Sequence, residues 1–95
     1  MNRNIARLLA GETIISKEPG NSMTPRIKHR QPVRIVPATA KDVDVGDIVY
    51  CKVGPYVYTH LVKAKNSKRG CLIGNNHGRI NGWTKKIYGK VVEIL

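Results

Sequence analysis

The chain has 95 residues and a formal net charge of +11 at pH 7, because 17 Lys and Arg stand against 6 Asp and Glu. At this length it forms one domain with one modest core, which excludes doubly wound nucleotide-binding folds and eight-fold barrels. With 41% hydrophobic and 24% charged residues the composition is that of a globular protein. The basic excess favours contact with polyanions such as nucleic acid, acidic proteins or anionic lipids.

The N-terminal eleven residues predict one short helix. Apolar residues at positions 5, 8 and 9 recur at helical spacing, Asn2 or Asn4 can cap the first turn, and Gly11 can end the last. Pro19-Gly20-Asn21 then signals a turn, and Pro25 starts either a single helical turn or a bend.

Short β-strands account for most of the remaining chain. Turn signals separate six predicted strands, at residues 13–16, 33–36, 48–53, 56–64, 71–73 and 86–95. Residues 38–45 predict an exposed connection, and the Gly- and Asn-rich residues 74–82 predict a long loop. The fold class is therefore mostly β, a small coiled sheet or partly open barrel spanning residues 1–95 as one domain.

The sequence predicts neither a membrane segment nor a cofactor. Its apolar runs are too short for a spanning helix or a signal-peptide centre, so a cytoplasmic location is expected. Cys51 and Cys71 form no Cys-x-x-Cys motif and are predicted to be reduced, buried thiols. His29 and His77 are predicted to be loop histidines, and no metal site is expected.

The most specific motif is the segment Gly20-Asn21-Ser22-Met23-Thr24-Pro25, called the serine segment below. A serine between a glycine turn and a proline can present its hydroxyl at a loop tip, where neighbouring backbone N–H groups can stabilise an oxyanion. Serine needs a base to act as a nucleophile at neutral pH. Three further motifs follow in order: Gly46-Asp47-Ile48-Val49 and its hairpin, Gly74-Asn75-Asn76, and Gly89-Lys90-Val91.

In this order the motifs resemble the superfamily of type I signal peptidases and LexA-repressor-type serine peptidases, over about residues 13–95. The resemblance implies a compact, mostly β fold. It assigns Ser22 to the nucleophile and His60 to the general base, a position held by lysine in bacterial and LexA-type enzymes and by histidine in endoplasmic-reticulum-type signal peptidases. An imidazole suits proton removal near neutral pH. Lys52 and Lys63 flank the hairpin and could serve as rival bases, but solvated positions are favoured for both.

The orienting group for the base is the open question in this comparison. The histidine-type enzymes place an aspartate after the third motif, whereas this chain has no carboxylate between residues 48 and 92. An asparagine can hold an imidazole in its place. The candidates for orienting the base or completing an oxyanion hole are Asn21, Met23, Asn75 and Asn81.

Two interpretations of the Ala10-Gly11 bond are available. LexA-type proteins cleave themselves at an Ala-Gly or Cys-Gly bond upstream of the serine. A helix end at Gly11 is favoured, because glycine is the usual residue after a helix.

Two functions from different classes remain open. The first is a serine peptidase-like domain acting on a peptide or protein substrate. The second is an inactive member of the fold that binds nucleic acid or an acidic protein, with Trp83 as a stacking platform or a cap on the core. The small basic form suggests a phage or mobile-element accessory protein. The candidate basic surface comprises Lys65, Lys68, Arg69, Arg79, Lys85 and Lys86.

Overall fold

One antiparallel sheet of seven strands forms the body of the computed structural model, which describes residues 2–95. The described chain is 46% strand and 11% helix, and the sheet does not close into a barrel. The strand order is β1-β2-β7-β3-β4-β5-β6. The strands are β1 Ile14–Ser16, β2 Val33–Pro37, β3 Ile48–Val53, β4 Tyr56–Asn66, β5 Gly70–Gly74, β6 Ile80–Thr84 and β7 Ile87–Ile94. The prediction of a mostly β fold with one short N-terminal helix is confirmed.

The helix α1, Arg3–Leu9, lies where the apolar spacing predicts it. The Asn2 side chain caps it by accepting a hydrogen bond from the Ile5 N–H at 3.1 Å. Gly11 adopts φ 89°, a conformation that favours glycine, and its N–H bonds to the Leu8 carbonyl just past the last turn. Ile5 and Leu8 are buried against β1 and β2 residues, so α1 covers one face of the sheet.

The sheet curls so that its last strands pack back onto its middle. The Thr84 hydroxyl on β6 donates to the Lys52 carbonyl on β3 at 2.6 Å. Inside the curl lies a cluster of small apolar side chains that includes Cys51, Val62, Cys71 and Ile73. A second cluster lies beneath α1, and a third joins Met23 of the serine segment to the sheet.

The predicted loop at residues 74–82 is wrong in its second half. Residues 80–84 form β6, which pairs with β5, and only residues 75–79 remain outside a strand. The backbone hydrogen bonds between β6 and β5 outweigh the weak strand preference of asparagine and glycine in this segment. Gly82 adopts φ 139° and a Cβ there would lie 3.2 Å from Val53 Cγ1, so the curl needs glycine at this point.

Residues 38–45 lie in the connection between β2 and β3, and five of these eight residues are exposed, as predicted. The segment contains a 3-10 helix at Ala40–Asp42, and the flanking Ala38 and Val43 are buried in the core inside the curl.

None of the helices described in residues 2–95 has the length and apolar character that crossing a membrane requires.

Candidate active site

Ser22 and His60 meet across an open edge of the sheet. The Ser22 Oγ lies 3.0 Å from His60 Nε2, although 38 positions separate the two residues in the chain. Ser22 is exposed at the tip of its segment, whereas His60 lies on β4 and is only 7% exposed. Both line a cleft of about 510 Å³, called the Ser22 cleft, whose wall also includes Glu18, Tyr58, Asn75, Arg79 and Asn81.

Asn81 fixes the proton arrangement of the His60 ring. Its Oδ1 lies 2.7 Å from His60 Nδ1. Because a carbonyl oxygen only accepts hydrogen bonds, Nδ1 carries the proton and Nε2 has a free lone pair. Nε2 can then accept from the Ser22 hydroxyl, which is the arrangement in which an imidazole removes a proton from a serine.

The surroundings of His60 favour the neutral ring. Burial lowers the pKa of His60 below its ordinary value, and the bond to Asn81 opposes part of that shift. The Tyr58 ring stacks on the imidazole with centroids 4.8 Å apart. A ring that is neutral near pH 7 can act as a base without first losing a proton.

The amide loop, residues 75–79, holds the serine segment in place. The Asn76 N–H donates to the Ser22 carbonyl at 2.9 Å and its side-chain amide donates to the Thr24 carbonyl at 2.9 Å. The His77 Nε2–H donates to the Asn21 carbonyl at 2.9 Å. These bonds fix the backbone on both sides of Ser22, so the loop rich in asparagine acts as a clamp.

A second loop histidine fixes the start of the segment. His29 Nδ1 accepts a hydrogen bond from the Gly20 N–H at 2.8 Å. Both histidines that the sequence assigns to loops therefore contact the serine segment.

The four residues predicted to orient the base or to complete an oxyanion hole have different partners in the structure. Asn81 alone among them bonds to His60. The Asn75 Oδ1 instead accepts from the N–H groups of His77 and Arg79 and shapes the amide loop. The Met23 side chain is buried against Ile48 and Leu61 and anchors the segment.

The backbone beside Ser22 retains the donors that an oxyanion hole needs. Within residues 2–95, no hydrogen bond uses the N–H of Ser22 or of Met23, whereas the carbonyls of Asn21 and Ser22 are both engaged. Asn21 thus contributes its carbonyl to the clamp.

The cleft runs along an unpaired strand edge. Residues 56–60 of β4 pair with β3 on one side, but β5 pairs only with residues 61–66 of β4 on the other. The N–H and C=O groups on that free edge are available to an added extended strand.

The other side chains that could act as a base or nucleophile either lie outside the Ser22 cleft or are held in an unreactive form. Neither Lys52 nor Lys63 lines the Ser22 cleft. Cys51 and Cys71 are free and buried, and burial raises the pKa of Cys51 to about 12, so it remains an un-ionised thiol at neutral pH. Among residues 2–95 no three His, Cys, Asp or Glu side chains are grouped as metal ligands.

Sequence reasoning missed Glu18 and Thr59, which both line the Ser22 cleft. Glu18 is half-buried, and this burial raises the pKa of its carboxyl, with the neighbouring Thr59 hydroxyl opposing the shift. Thr59 is 7% exposed, and its Oγ1 meets no partner at full hydrogen-bond geometry within residues 2–95. The position of Glu18 four residues before Ser22 was the one available signal.

The six candidate basic residues do not form one continuous group. Arg79 borders the Ser22 cleft, whereas Lys65 and Lys85 line a separate cleft of about 510 Å³ together with Lys41, here called the lysine cleft. Arg69 lies over the Trp83 ring, 5.8 Å from its centroid. Lys68 and Lys86 lie exposed in the two adjacent turns.

Comparison of the chain with protein-family models, with curated proteins and with solved structures gives no significant match.

Proposed function

We propose that the chain is a serine peptidase-like domain of the signal-peptidase and LexA type, with Ser22 as nucleophile and His60 as general base. The observation that carries the proposal is the line of hydrogen bonds from Ser22 Oγ to His60 Nε2 and from His60 Nδ1 to Asn81 Oδ1. The order of the four sequence motifs supports it independently. Asn81 is the positioning residue for the base.

The reaction is acyl transfer to Ser22 followed by hydrolysis. The Ser22 oxygen attacks the peptide carbonyl carbon as its proton passes to His60 Nε2, and the N–H groups of Ser22 and Met23 stabilise the oxyanion. Collapse breaks the C–N bond, and the leaving amine takes the proton from His60. Water then attacks the ester, gives its proton to His60 and releases the acid, after which the serine oxygen regains that proton.

The unpaired edge of β4 indicates how a substrate binds. An extended peptide can add to residues 56–60 as a further strand, which brings one of its carbonyls beside Ser22. The substrate class is therefore an extended peptide segment.

A serine-reactive fluorophosphonate probe tests the proposal. Labelling of the native protein should disappear in Ser22→Ala and persist in Ser67→Ala, a matched change of an exposed turn serine. His60→Ala should slow labelling by about 10²- to 10⁴-fold, the range for removal of a general base. Equal labelling of Ser22→Ala and wild type, or no labelling at all, would overturn the assignment.

A second candidate function is binding of a polyanion, either nucleic acid or an acidic protein. The observation in its favour is the lysine cleft near the Arg69 side chain that lies over the half-buried Trp83 ring, a combination of cations and an aromatic side chain that suits single-stranded nucleic acid.

Fluorescence polarisation against single-stranded DNA and polyglutamate tests this candidate. The double variant Lys85→Ala/Arg69→Ala should reduce the slope of log K against log salt by about 0.7 for each phosphate that the variant no longer neutralises. Arg3→Ala, on the far helix, is the control. Binding without probe labelling would favour this function over peptidase activity.

A further inference from the structure

A small cavity opens directly beside Ser22. It holds about 30 Å³, enough for one group the size of a water molecule, and its wall includes Glu18, Ser22, Met23, Lys28 and Thr59. Glu18, Ser22 and Thr59 also line the Ser22 cleft, so the cavity is a side chamber of that cleft.

Two oxygen-bearing side chains of the chamber, those of Thr59 and Glu18, neighbour each other and have no further partner among the described residues. Thr59 Oγ1 is buried without a partner at full hydrogen-bond geometry among residues 2–95, although buried hydroxyls are usually satisfied. No cation lies within ion-pair distance of Glu18 in that range, whereas Glu12, Asp47 and Glu93 each pair with a basic side chain.

Three of the six acidic residues form no ion pair within residues 2–95, and of these Glu18 is half-buried whereas Asp42 and Asp44 are exposed. With 17 Lys and Arg for 6 acids, partners are abundant, yet Glu18 is half-buried beside the nucleophile without one among the described residues. Lys28, on the same wall, is exposed and forms no ion pair within residues 2–95. Burial raises the pKa of Glu18, and the neighbouring Thr59 hydroxyl opposes part of that shift.

A substrate ammonium satisfies these groups together. It is about the size of a water molecule, donates up to three hydrogen bonds, and pairs with a carboxylate in a charge-assisted bond. The lysine methylene chain would lie in the wider Ser22 cleft. A carboxylate-bearing side chain would repel Glu18, and a purely apolar one would leave the Glu18 carboxylate without a cation.

We infer that Glu18 and Thr59 form a specificity subsite that selects lysine as the residue whose carbonyl Ser22 attacks. This inference rests on the proposed peptidase function. It concerns the choice of substrate and adds no step to the reaction.

The test compares diphenyl phosphonate probes that carry either a lysine or a norleucine side chain, which share the butyl chain and differ in the ammonium. Wild type should be labelled at Ser22 about tenfold or more faster by the lysine probe. Glu18→Gln should bring the ratio of the two labelling rates, lysine probe over norleucine probe, close to one. Thr59→Val should lower the same ratio. Glu12→Gln, a surface acid paired with Arg7, should keep the wild-type ratio.

Each outcome separates the subsite from the peptidase function. Equal rates for the two probes on wild type, with Ser22 labelled, overturn the subsite and leave the proposed function standing. A preference of the wild type for the lysine probe that persists in Glu18→Gln also overturns the subsite. Absence of labelling by both phosphonates and by the fluorophosphonate overturns both proposals. The wild-type comparison decides the question even if a variant fails to fold.

Discussion

At His60, an amide lies beside the imidazole, in the place where a Ser-His-Asp triad has a carboxylate. Asn81 Oδ1 fixes the same tautomer, with the proton on Nδ1, but it adds no negative charge. An imidazolium at this position is therefore less stabilised than beside an aspartate. Under the proposed function, the His60 ring stays neutral to lower pH, and its protonation during the reaction is stabilised less than in a Ser-His-Asp triad.

The pH dependence of Ser22 labelling follows from this environment. Protonation removes the Nε2 lone pair, so the rate should rise with pH through the pKa of His60, and burial places that midpoint below the ordinary value of 6.5. Asn81→Asp should move the midpoint upward by about 1 pH unit or more, since a carboxylate favours the imidazolium. Labelling rates between about pH 4 and 8, with an NMR titration of His60, measure both. An unmoved midpoint in Asn81→Asp would show that the two side chains do not touch in solution.

At the scale of elements, the amide loop and the serine segment act as one unit. Removal of the Asn76 side chain deletes its bond to the Thr24 carbonyl and should cost about 1 kcal/mol of unfolding free energy. Amide hydrogen exchange at residues 21–24 should accelerate in Asn76→Ala, and probe labelling should slow.

Asn66→Ala is the matched control for this prediction. The Asn66 side chain accepts from the N–H groups of Lys68 and Arg69 in a different turn, so its removal should leave exchange in the serine segment unchanged. Equal exchange effects of the two variants would show that the amide loop has no special role.

The packing of α1 on the sheet depends on a glycine in β7. A Cβ at Gly89 would lie 2.5 Å from Ile35 Cγ2 and 3.1 Å from Leu8 Cδ1. Gly89→Ala should therefore push α1 away from the sheet and cost about 1–3 kcal/mol, the usual range for overpacking.

Chemical denaturation measures this cost directly. Val92→Ala, an exposed position on the same strand, should change stability by less than about 0.5 kcal/mol. A Gly89→Ala protein as stable as wild type would mean that α1 does not pack over β7 and β2 in solution.

At the scale of the whole molecule, the net charge of +11 opposes folding. Only three ion pairs within residues 2–95 offset the repulsion among basic side chains, and all three are at least partly exposed. Screening by salt weakens that repulsion. The melting temperature should therefore rise between about 10 mM and 500 mM NaCl, where the Debye length shrinks from about 30 Å to a few ångström. A melting temperature that falls over this range would show that the three pairs outweigh the general repulsion.

The elements with local signals can be predicted from the order of residues alone. The apolar spacing and Gly11 predicted α1, alternation and turn residues predicted six of the seven strands, and the reduced buried cysteines followed from composition and spacing. The sequence also singled out Ser22, His60 and Asn81 by residue type and motif order. Their chemical roles stay a prediction, which the probe experiments test.

Only the tertiary structure decided which candidates come together. Asn81 differs from Asn75 because it lies on β6 at the irregularity of the pairing with β5, from which its side chain reaches His60. The weak strand preference of residues 81–82 hid that pairing. Glu18 and Thr59 became neighbours of Ser22 only through the packing of the serine segment on β4. Long-range strand pairing and burial set these neighbours, and neither is encoded in any short stretch of residues.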